Sequence, residues 1–177
     1  AEGIEWAVDN GADVVNLSLG ANTQSFPVND ALSYATENGV VVVAAAGNAG
    51  PCEDCVIHPA KQPEAIAVSA TTESDGLAEF SSTGPEVELA APGAEVYSAD
   101  RFDGYEYKSG TSMATPHVTG AVAAALSGGV PPSQVRAALA DGAVDIGLAD
   151  TEQGNGRLSV PETVGDPDPV TVSTEAA

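Results

Sequence analysis

Two rhythms of apolar and polar positions organise the first third of the chain. Ile4, Ala7 and Val8 recur at helical spacing and Gly11 closes the run, which predicts a helix over residues 1–11. "DVVNLSLG" (13–20) then reads as a strand ending at Gly20. "PVNDALSYATENG" (27–39) returns to the helical period, with Pro27 near its start and Gly39 as its stop. "VVVVAAAGN" (40–48) and "AIAVSATT" (65–72) are continuous apolar runs of strand length. Strands without alternation are covered on both faces, so helix, strand, helix, strand in this form predicts an α/β fold with a parallel sheet.

Beyond residue 80 the pattern is more broken. "VELAAPG" (87–93) and "AEVYSAD" (94–100) read as short extended pieces. "SGTSMATPHVTGAVAAAL" (109–126) begins as a loop and becomes a small-residue helix, and "PSQVRAALADG" (132–142) is a second late helix. After "GNGRLSV" the chain drifts into "GDPDPVTVSTEAA" (165–177), read as a polar tail or linker following one domain over 1–164. At 177 residues there is material for one sizeable core and hardly for two. "VVVVAAA" is too short to span a bilayer, so no membrane partner is expected. The chain opens without Met inside a helix already under way, which reads as a piece of a longer protein whose export signal would lie upstream.

Charge narrows the function classes. Twenty-six acids face five bases, a net charge of -21, so nucleic acid is excluded as a partner, because phosphate binding needs Lys and Arg. With only Lys61 and Lys108 as lysines, an acidic skin suited to high salt is preferred over an acidic partner-binding face.

Candidate chemistry centres on Ser112. Pro116 lacks an N–H and crowds the carbonyl four residues back, so the helix must start close to Ser112, whose carbonyl is left without its usual bond. There the free N–H groups and the positive end of the macrodipole favour a developing negative charge. Gly110 admits another backbone closely, and Ala114, Gly120, Ala121 and Ala124 allow tight helix packing. On these grounds Ser112 is either a nucleophile or a capping serine on a core helix. Asn48, ending a buried strand after Gly47, is by itself a turn residue.

"GTSMATPH", "VVVVAAAGN" and "DVVNLSLG", with "FSSTGPEVELAAPG" and "GNGRLSV", resemble the subtilisin-like serine peptidases over residues 1–164. The acidic composition and "GPCEDC" are most similar to the halolysin type secreted by salt-loving archaea. The resemblance implies a doubly wound, mostly parallel sheet with helices on both faces, its N-terminal part missing from this chain. It implies a secreted endopeptidase that acts on protein or peptide substrates, a monomer once complete. Ser112 would form the acyl-enzyme and Asn48 would donate to the oxyanion, joined by the Ser112 amide. Ser18, Leu19 and Gly20, with Ala45, Ala46 and Gly47, would line the primary specificity pocket and pair with the substrate backbone. Val56 and Ile57 fall near that pocket's floor.

The proton acceptor is not among these residues. His117 lies five positions after Ser112, about 140° round the same helix, so a packing or hydrogen-bonded role is expected. His58 sits in the loop "CVIHPAKQP", and Asp9, Asp13 and Asp30 stand in no motif of the family. In the family's order of Asp, His, Ser, both partners would lie upstream of residue 1, so the isolated chain is expected to lack substantial activity. No cofactor is required for that chemistry. A structural calcium is implied at the carbonyls of Pro63 and Ala65 and the carboxylate of Glu88. Cys52 and Cys55 are expected to form a short-loop disulfide, the alternatives being free thiols or a metal site with His58. The rival readings are a non-catalytic protein of the same fold and an α/β binding module built on that Cys52/Cys55/His58 site.

Overall fold

Four apolar runs pair in sequence order into one parallel sheet: β1 (Val14–Leu17), β2 (Val41–Ala45), β3 (Ala65–Thr71) and β4 (Val87–Pro92). The computed structural model describes residues 1–160; residues 161–164 of the expected domain and the expected tail over 165–177 lie outside the described residues. "VELAAPG", read as a loose extended piece, is thus a full member of the sheet.

Side chains alternate along a strand, so each strand feeds two cores. Val42, Ala44, Ala65 and Ala67 pack on one face with Ile4 of α1 (Glu2–Asp9) and with Ala31, Leu32 and Ala35 of α2 (Phe26–Glu37). Val43, Ile66, Val68 and Leu89 pack on the other face with α3 (Thr111–Ser127) and α4 (Pro132–Asp141). Helices on both faces of a parallel sheet make the fold α/β and doubly wound. α3 touches all four strands. Ala114 and Ala121 are buried in that interface, whereas Gly120, expected to assist the packing, faces open space.

The closing motif covers the free edge of β4. Asn155 N–H donates to Glu88 O at 2.8 Å and Leu158 N–H to Ala90 O at 2.8 Å. Gly154, at φ +60, lies so close that a Cβ would stand 2.2 Å from the Glu88 carbonyl carbon, so only glycine fits. A short helix, α5 (Asp150–Gln153), precedes this edge. A two-stranded antiparallel hairpin, β5 (Val96–Ala99) with β6 (Tyr105–Lys108), leads into α3. Among the described residues no helix is long and apolar enough to cross a membrane.

Candidate active site

The carboxyl ends of β1 and β2 and the first turn of α3 converge, as the crevice rule for open α/β sheets requires. Pro116 sets the geometry of that turn. The helix begins at Thr111, one residue before the position argued from the proline, and Ser112 sits in its first turn. The Ser112 carbonyl, deprived of its i+4 donor, accepts a hydrogen bond from Ser18 Oγ at 2.9 Å. Ser112 Oγ in return donates to the Ser18 carbonyl at 3.3 Å. The end of β1 is thereby fastened to the serine by two reciprocal bonds.

Asn48 is oriented from the same turn. Its Oδ1 accepts from Thr111 N–H at 2.8 Å and from Thr111 Oγ1 at 3.0 Å. Thr111 Oγ1 also accepts from Gly47 N–H at 3.2 Å, closing a buried link between β2 and α3. With Oδ1 committed, Asn48 Nδ2 is left as a donor that no described protein group engages. A Cβ built on Gly110 would stand 3.5 Å from Asn48 Nδ2 and 3.7 Å from Ser112 N. The Gly110 backbone does approach another closely, its N–H donating to the Gly93 carbonyl at 2.8 Å; its missing side chain leaves open the space that both donors border. Thr111 had no role in the sequence reading, although its place between Gly110 and Ser112 was a visible signal.

Ala45, Ala46 and Gly47 form a wall beside this space. The Ala46 and Gly47 carbonyls accept from Ile57 N–H and Ser82 N–H, both at 2.9 Å. Ser18 is half-buried, while Leu19 and Gly20 stay exposed at the end of β1. Ile57 sits between the two segments: a Cβ on Gly20 would lie 2.5 Å from Ile57 Cδ1, and one on Gly47 3.1 Å from Ile57 Cγ1. Val56 is buried in the core cluster that also holds Ala44 and Ala46.

Neither histidine reaches Ser112. His117 Nδ1 lies 2.9 Å from the Met113 carbonyl one turn back, and His58 Nδ1 lies 3.0 Å from Gln62 Nε2. Cavities of about 970 Å³ and 430 Å³ flank the β5–β6 hairpin, and neither is lined by Ser112 or Asn48. Asn48 is exposed and Ser112 half-buried, so the two donors and the hydroxyl stand on an open shelf.

The two corners expected to interest metals are otherwise engaged. Cys52 and Cys55 are joined in a disulfide, which leaves no thiolate for the Cys52/Cys55/His58 metal reading. Among the described residues no three His, Cys, Asp or Glu side chains group as metal ligands. At the expected calcium corner Arg136 Nη1 donates to the Pro63 carbonyl at 2.7 Å and Nη2 pairs with Glu88 Oε1 at 2.9 Å. A guanidinium, not an open oxygen cage, occupies that place, so two of the three expected ligand residues as they stand do not fit an ion that takes six to eight oxygens.

Comparison with known proteins follows the same lines. A family model described as the Subtilase family matches residues 1–156. The halolysin-like extracellular serine protease Nep of Natrialba magadii is 45% identical over 171 residues, 95% of this chain and 31% of its own length. The halolysin of Haloferax mediterranei is 47% identical over 166 residues, 93% of this chain and 32% of its own. The solved self-cleaved protease domain of PatA superposes with a TM-score of 0.83 at 35% identity, covering 92% of this chain and 64% of that one. The chain spans about a third of the length of the two archaeal relatives.

Proposed function

The chain belongs to the subtilase family, and from that membership we propose that it carries the acylating part of a secreted serine endopeptidase. Ser112 Oγ attacks the carbonyl carbon of a peptide bond, and the hydroxyl proton passes to a histidine supplied from outside these residues. The carbonyl oxygen, now negative, lodges in front of Gly110 between Asn48 Nδ2 and the Ser112 amide. Collapse of that intermediate, with the histidine's proton passing to the departing nitrogen, expels the amine half of the substrate and leaves the acyl group on Ser112. The substrate backbone runs along residues 18–20, and its side chain enters between that segment and the wall of Ala45, Ala46 and Gly47. Calcium takes no part in these steps.

The observation that carries this reading is the state of Asn48. Thr111 ties down its oxygen and turns its amide N–H₂ toward the space that the Ser112 N–H also borders. A turn residue needs no such arrangement. The shelf is open, as expected where the base comes from elsewhere in the protein. A relative named as an extracellular serine protease supports secretion and a protein or peptide substrate.

Peptide hydrolysis by the complete protein tests the assignment. Ser112→Ala should abolish turnover, and Asn48→Ala should lower kcat by about 10²–10³-fold, a magnitude measured in a subtilisin. Residues 1–177 by themselves should show no substantial hydrolysis; equal activity of the isolated chain and the complete protein would refute the division of roles.

A further inference from the structure

The mutual bonds between Ser18 and Ser112 pose a question of proton direction. A serine hydroxyl has one proton and can aim it at any acceptor nearby. Ser18 Oγ aims its proton at the Ser112 carbonyl because Asn16 Nδ2 donates to the other side of the oxygen at 2.9 Å. Asn16 itself can turn over. With its amide reversed, Oδ1 would face Ser18 and draw that proton away. The Ser112 carbonyl, which Pro116 already denies a backbone partner, would then be orphaned. Thr119, two turns along α3 from Ser112, holds Asn16 the right way round: its Oγ1 donates to Asn16 Oδ1 at 2.9 Å. The Thr115 carbonyl at 3.1 Å is the longer of the two acceptors open to that hydroxyl.

We propose that Asn16 and Thr119 are positioning residues for Ser112, acting through the Ser18 hydroxyl to fix the first turn of α3 from the end of β1. The inference rests on the reading of Ser112 as nucleophile and extends it to two side chains on the helix side of β1. Neither makes part of the shelf. Asn16 lies on the face of β1 whose neighbour Val14 packs toward α3, and it is exposed at the margin of that interface, where its carboxamide spans from Thr119 of α3 to Ser18. The relay holds the Ser112 carbonyl, and with the carbonyl the peptide plane and the hydroxyl that leave the same residue. Small displacements of a reacting group of about 1 Å cost up to about 10²-fold in rate.

The test uses the complete protein and counts active serines by titration with a sulfonyl fluoride, so that kcat is expressed per competent site. Thr119→Val, which removes only the hydroxyl, should lower kcat about tenfold and leave KM within about twofold. Thr119→Ser, which keeps the hydroxyl, should restore most of it. Asn16→Leu should lower kcat at least as far as Thr119→Val, again with KM held. A purely structural role predicts the opposite split: lower melting temperature or fewer titratable serines, with kcat per serine unchanged. That result, or equal losses in Thr119→Val and Thr119→Ser, overturns the positioning role while leaving the nucleophile in place. A parent protein that neither hydrolyses peptides nor reacts at Ser112 removes the underlying reading and this inference together.

Discussion

Arg136 and Glu88 illustrate what one side chain can substitute for. Burial pushes the Glu88 carboxyl above the ordinary glutamate value, and the Arg136 guanidinium opposes that rise. A raised carboxyl is penalised as pH climbs from its ordinary value through its folded value, and relieved below both. Removing the guanidinium leaves burial unopposed and moves the upper edge of that window higher. Arg136→Ala should therefore be less stable than the parent by about 1 kcal/mol near neutral pH, since both partners are partly exposed, and the difference should shrink toward pH 4. Thermal unfolding at the two pH values reads it directly. Added calcium should shift the melting temperature of the parent and of Glu88→Gln equally; a response lost in Glu88→Gln would restore the expected calcium site. The residue types of that site were legible in the sequence, but Arg136 stands 73 positions from Pro63, and no spacing rule connects them.

At the scale of elements, the site is a meeting of strand ends with a helix start, and its joints are glycines and prolines. The β2 run stops at Ala45 rather than continuing to residue 48, because Gly47 adopts φ +115 and turns the chain toward Thr111. A Cβ there would also stand 2.8 Å from Ser82 Oγ. Gly47→Ala should cost about 1–3 kcal/mol, visible as a lower denaturant midpoint at unchanged slope; a neutral effect would contradict the strain argument. Helices α1 and α2 were readable from the period of their apolar positions, and β2 and β3 as unbroken apolar runs covered on both faces. β6 was not, and the reason is its environment. "YEYK" alternates aromatic and charged residues, yet Tyr105 and Tyr107 are exposed and meet Tyr97 across the hairpin instead of entering a core. α5 is a single turn, too short for any period to register.

Over the whole molecule the acidic excess is barely opposed. Lys61, Lys108, Arg136 and Arg157 are each drawn into pairs with carboxylates, and Arg101 lies over the Phe102 ring. Acids even occupy turns that ordinarily favour glycine: Asp54, Asp75, Glu95 and Asp103 all adopt positive φ. Self-repulsion of a net charge of -21 should weaken as the Debye length falls from about 10 Å in 0.1 M salt to about 3 Å in 1 M. The melting temperature should therefore rise between those concentrations of potassium chloride, and a flat or falling profile would contradict a surface suited to salt. The sequence by itself determined the parallel α/β class, the turn that Pro116 forces at Ser112, and the acidic excess, because each follows from local pattern, backbone chemistry or simple charge. Only the tertiary structure decided which way Asn48 and Asn16 point and what fills the Pro63–Glu88 corner. Those outcomes depend on hydrogen bonds between residues 63 to 103 positions apart, whose direction is set by packing and leaves no trace in local pattern.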